Sequence, residues 1–295
     1  MTAKEIRLRA KQRMNGNFGK AFLIMFLYSL IISLANYIPV IGGLAMIVIS
    51  PVLVFGVYKS IVLLINGEKV GVFDYFKLGF DNFAKVWQLI WEVLKKTWVP
   101  LLLTLIGFVL VFVSIFFGSL GMYFTAIMDA GGGINTILGI VTFLFIGVSF
   151  ILIFGGLIWY IIKCLPYTLV NFYLIKNPNL TAKEIIELNE KNIKNNVGKV
   201  ARIMFLYGTI SVLISFVSAF MLAFIVVFTI NMLFSLLSIP ETITDIVTQL
   251  ISNFIGIIVG ALTNGFIMPK LIASYNELHE YITYENNLVS NTENI

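Results

Sequence analysis

The stretch AFLIMFLYSLIISLANYIPVIGGLAMIVISPVLVFGVY, residues 21–58, contains 38 residues and no charged side chain. Three more apolar stretches follow: residues 98–162 are interrupted only by Asp129, and residues 203–240 and 246–269 contain no charge. A helix needs about 20 apolar residues to cross the hydrocarbon core of a bilayer. The sequence therefore predicts an all-α, polytopic membrane bundle of about six transmembrane helices.

The composition excludes a soluble globular domain. Of the 295 residues, 59% are hydrophobic and only 12% are charged, too few to cover the surface of a soluble protein of this length. No small-residue cleavage site follows the first apolar stretch, so we expect it to be a retained helix and not a signal peptide. The single cysteine, Cys164, excludes an intramolecular disulfide and a cysteine-based metal cage.

The distribution of the 20 Lys and Arg residues predicts the topology. Six lie in residues 1–20, six in residues 59–96, seven in residues 163–202, and the last is Lys270. The turns between these groups contain no cation. Because Lys and Arg near span ends stay on the cytoplasmic side, both termini are expected in the cytoplasm of a bacterial cell, with the chain in its plasma membrane. The net charge of +5 then faces the anionic inner leaflet and does not indicate a nucleic-acid partner.

An internal repeat organises the chain. Residues 2–28 align without gaps to residues 181–207, with 13 of 27 positions identical, and a weaker third copy begins near Asn82. The second helix of each unit carries a glycine pair or Gly-Ala before a proline and a tyrosine after it; the prolines are Pro51, Pro166 and Pro269, and the tyrosines are Tyr58, Tyr173 and Tyr275. We therefore expect three parallel two-helix repeats (1–66, 67–176 and 177–283) and a polar C-terminal tail (284–295), related by an axis along the membrane normal.

The repeated residues have structural roles in this interpretation. Thr2 with Glu5, and Thr181 with Glu184, fit capping boxes. The glycines allow helices to approach closely, and each proline frees a carbonyl and should kink its helix. The basic segment 3–14 and the aromatic segment 71–94 are typical of helices at the membrane surface, and a binding surface for a cytoplasmic partner is the alternative.

The outer hairpins of the second and third repeats are longer than one span requires. Residues 98–128 would form a helix of about 46 Å, whereas the hydrocarbon core is about 30 Å thick. These arms are expected to kink, re-enter or project, and to enclose a groove open to lipid. The candidate lining residues are Phe116, Phe117, Phe143, Phe228 and Phe234.

Ordered motifs along nearly the whole chain resemble a bacterial membrane family catalogued as domain of unknown function 975. The motifs are Asn17-Phe-Gly-Lys20, Ser50-Pro51-x-Leu53 with Gly56 and Gly67-Glu68, Val72-Phe-Asp74-Tyr-Phe-Lys77-x-Gly79-Phe80-Asp-Asn-Phe83, Leu165-Pro166-Tyr167, Asn177-Pro178-Asn-Leu180-Thr181-Ala182, Met268-Pro269 and Ala273-Ser-Tyr275. The resemblance implies a six-span fold with no assigned activity. The chain departs from the family in its long outer hairpins and in the segment before Pro166.

The sequence offers little for catalysis. Its single histidine, His279, lies between Glu277 and Glu280 and is expected at the surface. No paired carboxylates and no metal-ligand spacing occur in the apolar stretches, so we expect neither an enzyme nor a cofactor or metal site. The candidate intramembrane polar residues are Lys163, Asn171, Thr263 and Asn264.

Two function classes therefore remain open. The first is a non-enzymatic bundle that binds or passes a hydrophobic molecule, a lipid or a membrane-active peptide, in envelope maintenance or resistance. The second is an accessory or scaffold subunit that recruits another membrane protein or a partner through its cytoplasmic interfacial helices. An ion-coupled transporter ranks below both, because acidic residues are found only in the turns and not at span depth.

Overall fold

The computed structural model describes residues 1–38, 41–128, 133–237 and 239–292, and these residues form helices and turns with no strand among them. The helices are α1 (Ala3–Arg13), α2 (Phe18–Ala35), α3 (Ile41–Ile65), α4 (Asp74–Phe80), α5 (Phe83–Met128), α6 (Gly133–Cys164), α7 (Val170–Lys176), α8 (Ala182–Ile193), α9 (Val197–Leu236) and α10 (Glu241–Thr292). A 3₁₀ segment, Leu165–Leu169, joins α6 to α7. The chain divides into two compact units, Met1–Leu89 with Thr168–Ile295, and Ile90–Tyr167.

The helical, six-span prediction is confirmed. Within the described residues, 6 helical stretches are long and apolar enough to cross a membrane. They are Phe18–Ala35, Ala45–Ile65, Phe83–Leu120, Gly139–Lys176, Val197–Ser218 and Thr242–Asn286. Their mean hydropathies lie between 1.8 and 2.8, and most of their side chains face outward, as the side chains of lipid-facing helices do.

The outer arms form long helices. Helix α5 has 46 residues and α10 has 52, which correspond to about 69 Å and about 78 Å at 1.5 Å per residue. The polar C-terminal segment, 284–295, is helical as far as Thr292, where α10 ends. Polar residues beyond Tyr284 do not end the helix, since they contain neither glycine nor proline.

Both predicted capping boxes are confirmed. The hydroxyl of Thr2 accepts the backbone N–H of Glu5 at 3.3 Å, and the Glu5 carboxylate accepts the backbone N–H of Thr2 at 2.8 Å. At the start of α8, Thr181 and Glu184 form the same pair of bonds, at 3.3 and 2.7 Å. The two copies of the repeat therefore begin with the same local geometry.

The first unit has its core where the second helices of the three predicted repeats meet. Helices α3, α7 and α10 each contact the other two. Tyr173 and Tyr275 are buried, the ring of Tyr58 packs on Phe172 at 5.4 Å, and the ring of Tyr173 packs edge-on against His279 at 4.3 Å. Such mutual packing is what three repeats around one axis require.

The repeat prolines have different helical settings. Pro51 and Pro269 lie inside α3 and α10, whereas Pro166 lies in the 3₁₀ segment that interrupts the helix. In the turn before Pro51, the indole N–H of Trp87 donates to the carbonyl of Val48 at 3.1 Å. Pro51 has no backbone N–H, so the helix loses one backbone hydrogen bond in this turn. The indole of Trp87, from the neighbouring helix α5, adds a donor to the same turn.

Glycines permit close helix contacts at some of the expected positions. In the second unit, a Cβ on Gly156 would lie 2.9 Å from the backbone nitrogen of Thr104. The backbones of α5 and α6 therefore approach closely at this glycine. Gly43, Gly155 and Gly260 have open space around the same position, so the close-packing interpretation is wrong for them.

Candidate functional site

The four polar residues expected within the membrane lie on three different helices. Thr263 is buried in α10, and its neighbour Asn264 is half-buried, as is Asn171 in α7. Lys163 is exposed in the last turn of α6, in the other compact unit. Within the described residues, no hydrogen bond or ion pair joins any two of these side chains.

The expected aromatic groove residues are mostly exposed. Phe116 and Phe143 in the second unit, and Phe228 in the first, are 61%, 76% and 62% exposed. Phe117 stacks on Phe145 across the α5–α6 hairpin, with ring centroids 6.2 Å apart. Phe228 lines an apolar surface pocket of about 560 Å³ along α9, together with Phe220, Phe224, Val227, Asn231 and Met232. Phe234 lies half-buried two turns further along that helix.

The expectation of a surface histidine is wrong. His279 is 3% exposed, between the rings of Phe172 and Tyr173, and neither ring nitrogen has a hydrogen-bond partner among the described residues. Its neighbour Glu277 is also buried. Buried apolar residues at Ile272, Tyr275, Leu278 and Ile282 follow helical spacing, and this periodicity is the signal that predicts a packed face of α10.

An ionic network beside this histidine joins the C-terminal ends of α1 and α7 to α10. Arg13 of α1 lies 2.9 Å from Oε1 of Glu277 and also donates to Glu280. Lys176 of α7 lies 3.3 Å from Oε1 of Glu280, which also accepts the amide of Asn276. The hydrogen bond to Glu280 raises the pKa of the Arg13 guanidinium. The network therefore fixes α1 and α7 on α10.

Next to this network, α1 forms one wall of a cavity of about 660 Å³ in the first unit. Four cationic side chains border it: Lys4, Arg7 and Lys11 from α1, and Lys270 from α10. The three on α1 are spaced three or four residues apart, which places them on one face of the helix. Among the described residues, no acidic side chain is part of its lining.

The rest of the lining is mainly apolar. It consists of Leu8, Ala10, Met14, Phe18, Leu206, Tyr207 and Ile210, with Asn15 at the edge. The Nζ atom of Lys270 lies 5.1 Å from the centroid of the Phe18 ring, within cation–π range. A second cavity of about 600 Å³ shares Arg7, Leu206 and Ile210 with the first and adds Arg202 and Phe205.

The acid closest in sequence to the α1 cations forms no ion pair with them. Glu5 is committed to the capping box, where the backbone N–H of Thr2 lowers the pKa of its carboxyl. Lys4, Lys11 and Lys270 form no ion pair with a described residue, and Arg7 donates only to the backbone carbonyl of Ala3, at 3.2 Å. The cavity therefore combines uncompensated positive charge with apolar walls.

The sequence did not identify this cavity. The basic segment 3–14 was interpreted as a membrane-surface anchor, and Lys270 only as a topological marker. The spacing of Lys4, Arg7 and Lys11 predicts one cationic face, but the approach of α10 to that face depends on packing between distant parts of the chain.

Metal-ligating side chains do not converge in the described residues. No three His, Cys, Asp or Glu side chains among them are placed to hold a metal ion. Cys164, in the second unit, is half-buried and hydrogen-bonds with Tyr160 and Thr97.

These features define an all-α, multi-pass membrane protein with a cationic, apolar-walled cavity on its amphipathic helix. Comparison of the chain with protein-family models, with curated proteins and with solved structures gave no match.

Proposed function

We propose that this protein is a non-enzymatic component of a bacterial plasma membrane that binds or passes a hydrophobic molecule, a lipid or a membrane-active peptide, in envelope maintenance or resistance. The observation that carries this proposal is the cavity of about 660 Å³ between α1, α9 and α10. Its size lies within the usual range of small-molecule sites, and its walls are apolar with a few convergent polar groups.

The proposed topology places both termini and the connections at 66–97 and 176–200 in the cytoplasm. It rests on the grouping of cations at 1–20, 59–96 and 163–202. In this orientation α1 lies at the inner face, so the cavity is reached from the inner leaflet or from the cytoplasm. The resemblance to the domain of unknown function 975 family supports a six-span chain and assigns no activity.

The experiment is to purify the full-length protein in native lipid particles and to identify co-purified lipids and peptides by mass spectrometry. Ile210 borders both cavities, and Ile210→Trp is designed to fill them. Leu213→Trp on the same helix is the matched control, because Leu213 is 57% exposed and borders neither. We expect a specific co-purified molecule that Ile210→Trp displaces and Leu213→Trp retains. Recovery of bulk membrane lipid alone, equally with all three proteins, would contradict the proposal.

A scaffold function is the second candidate, favoured by exposed aromatic side chains around α4. Phe73, Phe80 and Phe83 are 59%, 47% and 38% exposed, and the rings of Phe80 and Phe83 stack at 6.4 Å. A partner protein that co-purifies with the wild type and is lost from Phe73→Ser/Phe80→Ser would favour this function. Unchanged co-purification with that variant would argue against it.

A further inference from the structure

We propose that the cavity beneath α1 is a binding site for an acidic phospholipid, whose phosphate lies among Lys4, Arg7, Lys11 and Lys270. This inference rests on the proposed function and specifies its ligand. The observation behind it is the convergence of four cations on an apolar cavity, with neither an ion-pair partner nor an acidic lining residue among the described residues. Like charges held together without a counter-ion repel one another, and an anion that enters the cavity removes this repulsion.

The arrangement of the lining matches an amphiphile more closely than a small anion. Lys4, Arg7 and Lys11 precede the first apolar span, which begins at Phe18. The opposite wall, Leu206 and Ile210, belongs to the apolar span Val197–Ser218. The three cations on α1 therefore precede a membrane-spanning helix, and apolar side chains of another such helix border the same cavity. A phospholipid has this order of groups, with its headgroup at the interface and its acyl chains against the helices.

The internal repeat indicates that three of these charges are not part of the repeated architecture, whereas Lys4 has a counterpart in Lys183. In the alignment of 2–28 with 181–207, the position of Arg7 is occupied by Ile186 and that of Lys11 by Glu190. Ile186 is 2% exposed, so the equivalent face of α8 is packed and not open. When Pro51 is aligned with Pro269, the position of Lys270 is occupied by Val52.

Another cation of α1, Arg13, holds this helix on α10. Arg13 binds Glu277 and Glu280, and Ile6, Ala10 and Met14 are buried on the same helix. Helix α1 is thus fixed on α10 by one face, while Arg7 and Lys11 lie on another face. A fixed helix holds its cations in place before the lipid arrives, which lowers the entropic cost of binding.

The test uses the full-length protein in a neutral detergent, titrated with phosphatidylglycerol that carries a fluorophore at the end of one acyl chain. The variant is Arg7→Gln/Lys11→Gln/Lys270→Gln. The matched control is Lys183→Gln/Lys191→Gln/Lys194→Gln, which removes the same charge from α8 and its C-cap. A third protein, Arg7→Lys/Lys11→Arg/Lys270→Arg, keeps the charges, and thermal unfolding of each protein confirms that it is folded.

We expect the cavity variant to bind about 100-fold more weakly, since each cation near an anionic headgroup contributes about fivefold in affinity. The α8 control and the charge-conserving variant should bind within about twofold of the wild type. Unlabelled phosphatidylglycerol should compete, whereas phosphatidylcholine and inorganic phosphate should not.

Three outcomes would overturn the inference: equal binding by the cavity variant, an equal loss in the α8 control, or efficient competition by inorganic phosphate, which would indicate a small-anion site. Efficient competition by phosphatidylcholine would also overturn it, but it would leave the proposed lipid-binding function standing. The proposed function fails separately, if no specific molecule co-purifies with the wild type.

Discussion

The guanidinium of Arg13 lies 2.9 Å from the carboxylate of Glu277, a side chain that is only 6% exposed. A residue that precedes the first span is thereby paired with one near the end of the last, and the pair fixes α1 on α10. Because the carboxylate is buried, the loss of its partner would leave a charge without compensation.

Arg13→Gln is therefore expected to destabilise the protein by about 1–3 kcal/mol, less than for a fully buried pair because Arg13 itself is 46% exposed. Lys95→Gln is the control: it breaks the exposed pair with Glu92 and should cost less than about 1 kcal/mol. Thermal unfolding in detergent measures both. The double variant Arg13→Gln/Glu277→Gln should recover part of the loss, and equal effects of Arg13→Gln and Lys95→Gln would contradict the interpretation.

Gly156→Ala should destabilise the α5–α6 hairpin by about 1–3 kcal/mol. The added methyl group would lie 2.9 Å from the backbone nitrogen of Thr104, and backbone cannot move aside as a flexible side chain does. Its neighbour Gly155 has nothing within 4 Å, so Gly155→Ala should change stability by less than about 0.5 kcal/mol. The unfolding temperatures of the two single variants provide the comparison, and a loss of the same size in both would show that the contact does not limit helix approach.

His279→Phe should leave the protein as stable as the wild type or more so. Phenylalanine keeps the edge contact with Tyr173 and removes two buried ring nitrogens, whose burial without partners costs about 1–3 kcal/mol. His279→Ala is the control, and the cavity it creates should cost about 2–4 kcal/mol. Strong destabilisation by the phenylalanine, comparable to that by alanine, would mean that the imidazole has a polar partner.

Cysteines at Asn135 and Ser238, in a Cys164→Ser background, should react with a membrane-impermeant thiol reagent in intact cells. Residue 238 lies outside the described residues, and both expectations rest on the cation distribution. Cysteines at Asn15 and Asn195 should react only after the cells are permeabilised. The opposite pattern of labelling would invert the topology.

Local sequence chemistry predicts much of this fold. Charge-free runs such as 21–58 define the spans, because a chain in lipid must bond its backbone internally. The capping boxes at Thr2 and Thr181 are equally local, since three residues separate donor and acceptor. The position of His279 between two glutamates predicts a surface location, and this is wrong because its burial depends on Tyr173 and Phe172 of a helix distant in sequence.

The cavity is only partly predictable from the sequence. Helical spacing predicts that Lys4, Arg7 and Lys11 share a face, but not that this face borders a cavity. The position of Lys270 beside them depends on how α10 packs on α1, which no short segment specifies.

Helix α10 contacts α1, α2, α3, α7, α8 and α9, and the ribosome makes it after every one of them. The apolar face of α1, with Ile6 and Ala10, therefore lacks its main packing partner until almost the whole chain has been translated. Until then a basic helix with an apolar face can bury that face at a bilayer surface, where anionic lipids attract its cations. We therefore expect the packing of α10 on α1 to be a late step of biogenesis. Truncation within α10 should leave spans that are inserted but not assembled, and the quality-control proteases of the cell should degrade them.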